Sequence, residues 1–202
     1  MKIICIGRNY ADHAKEMNAA LPTQPIFFLK PDTALLREAE FYHPNFTKDL
    51  HFECELVIKI DKVGKHIDAA FAHKYYSQFT LGIDFTARDL QQQCKEKGLP
   101  WEPAKGFDHS APLSSIWLNV KDYDFQNLEF RFYQNDTLRQ IGSPKDFIFQ
   151  IDALIAYVSQ FITLKTGDLL FTGTPAGVGP VQIGDQLRAE LNGQTLLELA
   201  IK

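Results

Sequence analysis

Between residues 50 and 60 apolar side chains fall on every second position: Leu50, Phe52, Cys54, Leu56, Ile58 and Ile60 alternate with His51, Glu53, Glu55, Val57 and Lys59. Successive strand side chains point to opposite faces, so this spacing predicts one long strand with its first set on a core. Shorter apolar or alternating runs predict further strands over residues 3–6, 26–29, 80–83, 128–133, 169–172, 186–191 and 195–201. Asn135-Asp136 and Asn192-Gly193 between such runs are hairpin signals, because these residues tolerate the left-handed backbone of tight turns. Helices are expected over 11–17, 68–76, 87–97, where Gly98 ends the run, and 152–161, with Asp152 as its cap. Strands and helices do not alternate regularly, so a doubly wound parallel sheet is disfavoured and a β-rich α+β roll or sandwich is expected. No repeat, linker-like tract or composition shift interrupts the chain, which implies a single domain over residues 1–202.

Composition narrows the function. Hydrophobic residues make up 45 % of the chain and include 16 Phe, which excludes a disordered segment. A net charge of -4 with no basic stripe argues against nucleic acid or an anionic membrane as partner. Cys5, Cys54 and Cys94 are odd in number and lack Cys-x-x-Cys spacing, so neither a disulfide framework nor a thiolate zinc site is indicated. The apolar run after Lys2 is too short for a secretory signal, and a cytoplasmic, reducing location is expected. The stretch 147–164 carries Gln150, Asp152 and Gln160 within a helical apolar pattern and reads as a core helix rather than a membrane span.

Glu53 and Glu55, two apart on a strand, place two carboxylates on one face, about 6.5–7 Å apart along the backbone and able to share a cation. A polar strand face meeting water has the same pattern. Asp84 closes the run Thr80-Leu81-Gly82-Ile83-Asp84, where a strand stops, and either adds a third oxygen ligand or helps cap the next helix, whose Thr86-Ala87-Arg88-Asp89 start resembles a capping box. An all-carboxylate set selects a hard cation, Mg²⁺ or Mn²⁺ before Zn²⁺. Arg88 and Gln91 share a face in the first turns of that helix and suit a carboxylate ligand, although Arg88 could equally pair with Asp89 or Glu96. Lys105 lies in a loop bounded by Pro and Gly and flanked by aromatic residues, which can hold a lysine partly dry. His13 and Glu16, three apart on a short helix, could form an oriented base or simply a solvated face, and the following stretch with Pro22 and Pro25 suits a lid. The glycine-rich 171–180 segment lacks the Gly-Lys-Ser/Thr ending of a P-loop but can offer amides and the Thr174 hydroxyl to an anion.

The stretches Gly7-Arg8-Asn9-Tyr10-Ala11-Asp12-His13, Phe28-Leu29-Lys30-Pro31, His51-Phe52-Glu53-Cys54-Glu55-Leu56, Asp84-Phe85-Thr86-Ala87-Arg88-Asp89-Leu90-Gln91, Ala104-Lys105 and Thr172-Gly173-Thr174-Pro175-Ala176-Gly177-Val178-Gly179 together resemble the fumarylacetoacetate hydrolase family, in order along nearly the whole chain. The nearest likeness is to its short acylpyruvase-type members. That resemblance implies a mixed β-sandwich roll, a homodimer, and Mg²⁺ or Mn²⁺ held by Glu53, Glu55 and Asp84. It also implies Lys105 beside the reacting carbonyl, a lid-borne His13–Glu16 pair, and Arg88, Gln91 and Thr174 lining the site of a small 2-oxo acid substrate. The expected reaction is hydrolysis of a carbon–carbon bond in a 2,4-dioxo acid, with His13 activating water and the cation and Lys105 stabilising the departing enolate. Oxaloacetate decarboxylation or tautomerisation, or isomerisation of a 2-hydroxy-diene dioate, is the alternative at the same site. A non-catalytic metal-binding module is the rival from outside enzymology, and it leaves the lid pair, Lys105 and Arg88 without a joint purpose. The stretch from Asn18 to Gln24 carries no obvious determinant for an acyl tail.

Overall fold

The computed structural model describes residues 1–16 and 20–202. A six-stranded sheet forms its centre, in the order Leu118–Asn119, Tyr76–Ile83, Cys54–Ile60, Leu169–Phe171, Ile3–Gly7 and Ile26–Lys30. Its neighbours are antiparallel except Ile3–Gly7 with Leu169–Phe171, a parallel pair of strands far apart in sequence. Ile4, Ile6, Leu56, Ile58, Phe79, Leu81 and Leu170 enter the larger core, while Ile3, Cys5, Val57, Leu169 and Phe171 enter a second core on the opposite face. Both faces are therefore dry, which is why residues 3–6 read as an unbroken apolar run rather than an alternation.

A five-stranded sheet, ordered Thr137–Gly142, Phe130–Gln134, Gln186–Leu191, Gln194–Ile201 and Glu40–Phe41, closes the larger core. Phe130, Phe132, Leu187, Ala189 and Leu199 pack there with Ile151, Leu154, Ile155 and Val158 of the helix Ile151–Phe161. The two expected hairpin turns are present: Asn135 and Asp136 have φ of 51° and 58°, and Asn192 and Gly193 have 48° and 84°. The strand Thr137–Gly142, absent from the sequence expectation, is the partner that the first of these turns demands. The β-rich α+β architecture is as expected.

Several boundaries differ, each for a visible reason. Residues 50–60 form two strands rather than one: Leu50–Phe52 pairs with Gly179–Pro180 and Thr86–Ala87 in a small sheet, and Cys54–Ile60 belongs to the central sheet. The break falls on Glu53, because the adjacent Cys54 N–H donates to the side-chain Oε1 of Gln140 at 3.0 Å instead of to a strand. Helix 68–76 is the short helix Ala69–Ala72, capped by Asp68 accepting from the Ala70 N–H, followed by the 3-10 turn His73–Tyr75. Tyr76 already belongs to a strand. Asp152 does not cap its helix, whose first flanking residue is Gln150; its carboxylate instead accepts the Tyr76 hydroxyl at 3.0 Å. The capping box at residues 86–89 does not form either. Ala87 takes the cap position of the helix Arg88–Lys97, the Thr86 hydroxyl turns back to the Asp84 carbonyl, and Gly98 ends the helix at φ 64°. The first helix is Ala11–Glu16, and its expected last residue, Met17, lies outside the described residues together with Asn18 and Ala19 of the expected lid.

Candidate active site

Two neighbouring strands bring the three carboxylates together. Cys54 pairs with Ile83, which sets Glu53 and Asp84 side by side where the pairing stops, and the Asp84 N–H donates to the Glu53 carbonyl at 2.8 Å. Glu55 sits one step further into the sheet, opposite Gly82. All three are buried, and one ligand oxygen from each lies within 4.8 Å of the others. The solvated-face reading of Glu53 and Glu55 is thereby excluded, as is a capping role for Asp84.

Three buried or nearly buried cations face this cluster. Lys105 Nζ donates to Glu53 Oε2 at 2.9 Å and to Asp84 Oδ2 at 2.7 Å. Arg88 donates to Glu53 Oε1 at 2.6 Å and to the Gln91 side chain at 2.8 Å, so it pairs inward rather than with Asp89 or Glu96. Lys30 pairs with Asp84 Oδ1 at 2.7 Å and is held there among the carbonyls of Phe85, Lys105 and Ser110 and the Ser110 hydroxyl. Lys105 lies not in a loop but at the end of the helix Glu102–Lys105, where its N–H bonds to the Trp101 carbonyl at 2.9 Å.

The charges shift the acids in opposite directions. Burial alone would raise the Glu53 carboxyl, yet Lys105, Arg88 and His13 hold it well below the ordinary glutamate range. Glu55 goes the other way: burial, then the charges of Asp84 and Glu53, raise it well above that range. Lys105 is raised because Asp84 and Glu53 outweigh the cost of its burial. This electrostatic arrangement suits a divalent cation. Glu55 has two like charges beside it and one amide, the Gly173 N–H at 2.7 Å, to offset its burial. Three clustered buried carboxylates, one of them held by a single amide, are the donor set a hard cation takes.

The remaining expected residues converge on the same cavity. His13, Glu53, Glu55, Asp84, Arg88, Gln91, Lys105 and Thr174 all line it. Glu16 does not, but it accepts from His13 Nδ1 at 3.1 Å and from the Gly177 N–H at 3.1 Å, so it ties His13 to the glycine-rich loop and leaves Nε2 without a partner among the described residues. The Thr174 hydroxyl donates to the Cys54 carbonyl at 2.9 Å. Gly177 has φ of 100°, and a Cβ there would lie 2.0 Å from the Arg139 carbonyl. Gly177→Ala is therefore expected to lower the melting temperature by about 3–10 °C and to impair turnover by displacing Glu16, measured by calorimetry and steady-state rates.

Sequence reasoning missed Lys30, Gln140, Arg8 and Lys95. Lys30 left a signal, a charge closing an apolar strand before Pro31, and it is 1 % exposed. Gln140 is buried at an inward position of its strand and donates to the Thr174 hydroxyl at 2.7 Å and the Pro175 carbonyl at 2.8 Å. Arg8 lies in the stretch beginning at Gly7 that resembles the family but carries no expected role there, and Lys95 lines the cavity without a local pattern that would mark it.

The fold and this cavity define an enzyme, with acids, a lysine and an oriented histidine enclosed around one small space. More particularly, the chain belongs to the fumarylacetoacetate hydrolase family: the family model for the fumarylacetoacetate (FAA) hydrolase C-terminal domain matches residues 2–202. It is 42 % identical to the mitochondrial oxaloacetate tautomerase of Bos taurus over 201 residues, covering 99 % of this chain and 91 % of that protein. It is 41 % identical to the mitochondrial oxaloacetate decarboxylase of Dictyostelium discoideum, covering 95 % and 89 %. Among solved structures, fumarylpyruvate hydrolase from Pseudomonas aeruginosa, in complex with Mn²⁺ and pyruvate, superposes with a TM-score of 0.93 at 33 % identity, covering 100 % of this chain and 89 % of that one. Among the described residues, no helix is long and apolar enough to cross a membrane.

Proposed function

We propose that this chain is a divalent-cation-dependent enzyme of oxaloacetate, acting through its enolate as a tautomerase or decarboxylase. The expected 2,4-dioxo acid hydrolysis is the second reading, favoured by the likeness to a fumarylpyruvate hydrolase. The observation that carries the proposal is the buried Glu53–Glu55–Asp84 cluster with Lys105 shared between two of its members, in the one cavity that also holds His13. The relatives of highest identity named above act on oxaloacetate and support that choice over hydrolysis.

Glu53, Glu55 and Asp84 would hold the cation, Mg²⁺ or Mn²⁺, which would supply Lewis acidity toward a 2-oxo acid. His13 is the base. Its Nδ1–H is fixed on Glu16, so Nε2 carries the lone pair that takes the proton from the carbon between the two carbonyl groups. Lys105 donates to the oxygen on which negative charge develops, and Arg88 with Gln91 orients the carboxylate end. Tautomerisation moves one proton between that carbon and the 2-oxo oxygen by way of His13, in either direction. Decarboxylation instead breaks the bond from that carbon to the distal carboxylate of the keto form, releases carbon dioxide and leaves the enolate of pyruvate, which takes its proton from water. Pairing of two copies, which the family resemblance implies, belongs to this reading and is checked by light scattering.

The test is a parallel assay with Mg²⁺ or Mn²⁺ on the enol form of oxaloacetate and on acetylpyruvate, following enol absorbance, carbon dioxide and pyruvate. Enol loss without carbon dioxide identifies a tautomerase, and carbon dioxide with pyruvate identifies a decarboxylase. Faster acetylpyruvate cleavage returns the assignment to the hydrolase. His13→Gln is expected to slow tautomerisation by about 10²–10⁴ while sparing decarboxylation. Equal loss of both activities would remove His13 from the proton-transfer role.

A further inference from the structure

Two cations in the cavity are not matched by acids. Arg8 and Lys95 line it with Glu53, Glu55 and Asp84, yet neither makes a hydrogen bond or ion pair among the described residues. Counting Lys30, Lys105 and Arg88, five cations face three carboxylates before any divalent ion is added. Lys95 is lowered by partial burial and then by the charges of Arg88 and Arg8, which places these cations within electrostatic reach of one another.

The fold holds both in place. Arg8 follows the strand Ile3–Gly7 in the left-handed region, at φ 58°, where a residue with a Cβ is strained. The next residue fixes that turn: buried Asn9 donates to the carbonyls of Phe149 and Thr172 at 3.1 and 2.8 Å and accepts the Phe149 N–H at 2.8 Å. Arg8 also lines a neighbouring cavity formed by residues 20–26 and Tyr157, so it stands between the acid cluster and the segment that follows the first helix. Lys105 lies 5.1 Å from the Phe28 ring, Phe28 lies 5.8 Å from Trp101, and Lys95 lies 5.8 Å from Trp101, so the buried lysine and the exposed one each pack on one ring of the same aromatic pair.

We propose that Arg8 and Lys95 form a second anion subsite at the cavity mouth, which takes the distal carboxylate of a dicarboxylic 2-oxo acid. The inference rests on the reading above, in which the 2-oxo acid end lies at the Glu53–Glu55–Asp84 floor. It explains why excess positive charge is held at the mouth of a cavity that already balances its own acids, and it selects dianionic substrates over acylpyruvates with neutral tails. Arg8 supplies a planar donor fork suited to a carboxylate, and Lys95, exposed at the rim, adds a point charge.

The test compares two probes on the Mn²⁺-loaded protein by calorimetry: pyruvate, which lacks a second carboxylate, and N-oxalylglycine, a stable dicarboxylate with the same 2-oxo acid end. The native protein is expected to prefer N-oxalylglycine. Arg8→Gln should weaken it by about 10- to 100-fold, the effect of losing a charged hydrogen bond, and leave pyruvate unchanged. Lys95→Gln should cost several-fold, and Arg8→Lys should restore part of the preference. In kinetics the same variants should raise the KM for oxaloacetate and spare that for acetylpyruvate. Melting temperature and Mn²⁺ titration confirm that each variant is folded and loaded. A preference that survives Arg8→Gln/Lys95→Gln in folded, loaded protein overturns the subsite alone. Binding of neither probe by the loaded native protein overturns the functional reading, and the subsite with it.

Discussion

Glu53→Ala is expected to abolish both cation binding and turnover. Glu53 is one of three carboxylates whose oxygens lie within 4.8 Å, so its loss leaves two. Since even an indirect partner of a metal ligand is worth about 10–100-fold in affinity, Mn²⁺ should bind more than about 100-fold more weakly. Turnover should fall by more than about 10³ if the cation stabilises the enolate as proposed. The fold should suffer as well. Glu53 is the acceptor for Arg88 at 2.6 Å and Lys105 at 2.9 Å, and removing one partner of a buried pair costs about 3–5 kcal/mol. For a chain of this size that corresponds to a melting temperature lower by about 6–20 °C. Glu96→Ala, which removes only an exposed contact to Gln92, is the control and should change neither quantity. Mn²⁺ titration by calorimetry, initial rates and thermal melts read the three effects. A Glu53→Ala protein that binds Mn²⁺ and turns over like the native chain would remove this cluster from the chemistry.

The site was more legible in the sequence than the boundaries of the elements that build it. Glu53, Glu55 and Asp84 stood out because acids are unfavourable in a strand and at its inner end, and the structure buries all three together. The strand break at Glu53 left no such mark. Alternation continues across it from Leu50 to Ile60, and what interrupts the pairing is Gln140, a residue 86 positions away whose side chain takes the Cys54 N–H. The cap at Asp152 and the box at Thr86 failed for a related reason: each side chain found a tertiary or neighbouring partner that outcompeted the local one. Lys30 and Arg8 show the same limit from the side of function. Both lie in stretches that mark the family, but their roles depend on which elements lie across the cavity, which local spacing does not carry.

Lys105→Met separates the two positive charges that the acids can accept. Lys105 Nζ occupies Glu53 Oε2 and Asp84 Oδ2, on two of the three carboxylates proposed to hold the cation. Replacing it with an apolar side chain of similar length leaves buried carboxylates uncompensated, so the metal-free protein should melt well below the native one. Addition of Mn²⁺ should recover most of that loss, because the ion then supplies the missing positive charge. Affinity for Mn²⁺ should be unchanged or higher, since the ammonium no longer competes for the same oxygens. Turnover should nonetheless fall by about 10²–10³, the effect of removing one donor from the oxygen on which charge develops. This divergence of tighter metal and slower chemistry distinguishes a group that acts on substrate from one that only arranges the carboxylates. Parallel loss of metal and activity would make Lys105 a structural tie between Glu53 and Asp84, and retention of activity would take it away from the reacting atoms altogether. Lys105→Arg is not a substitute control, because a planar guanidinium does not reproduce the compact ammonium that reaches Glu53 Oε2 and Asp84 Oδ2 together beside Phe28.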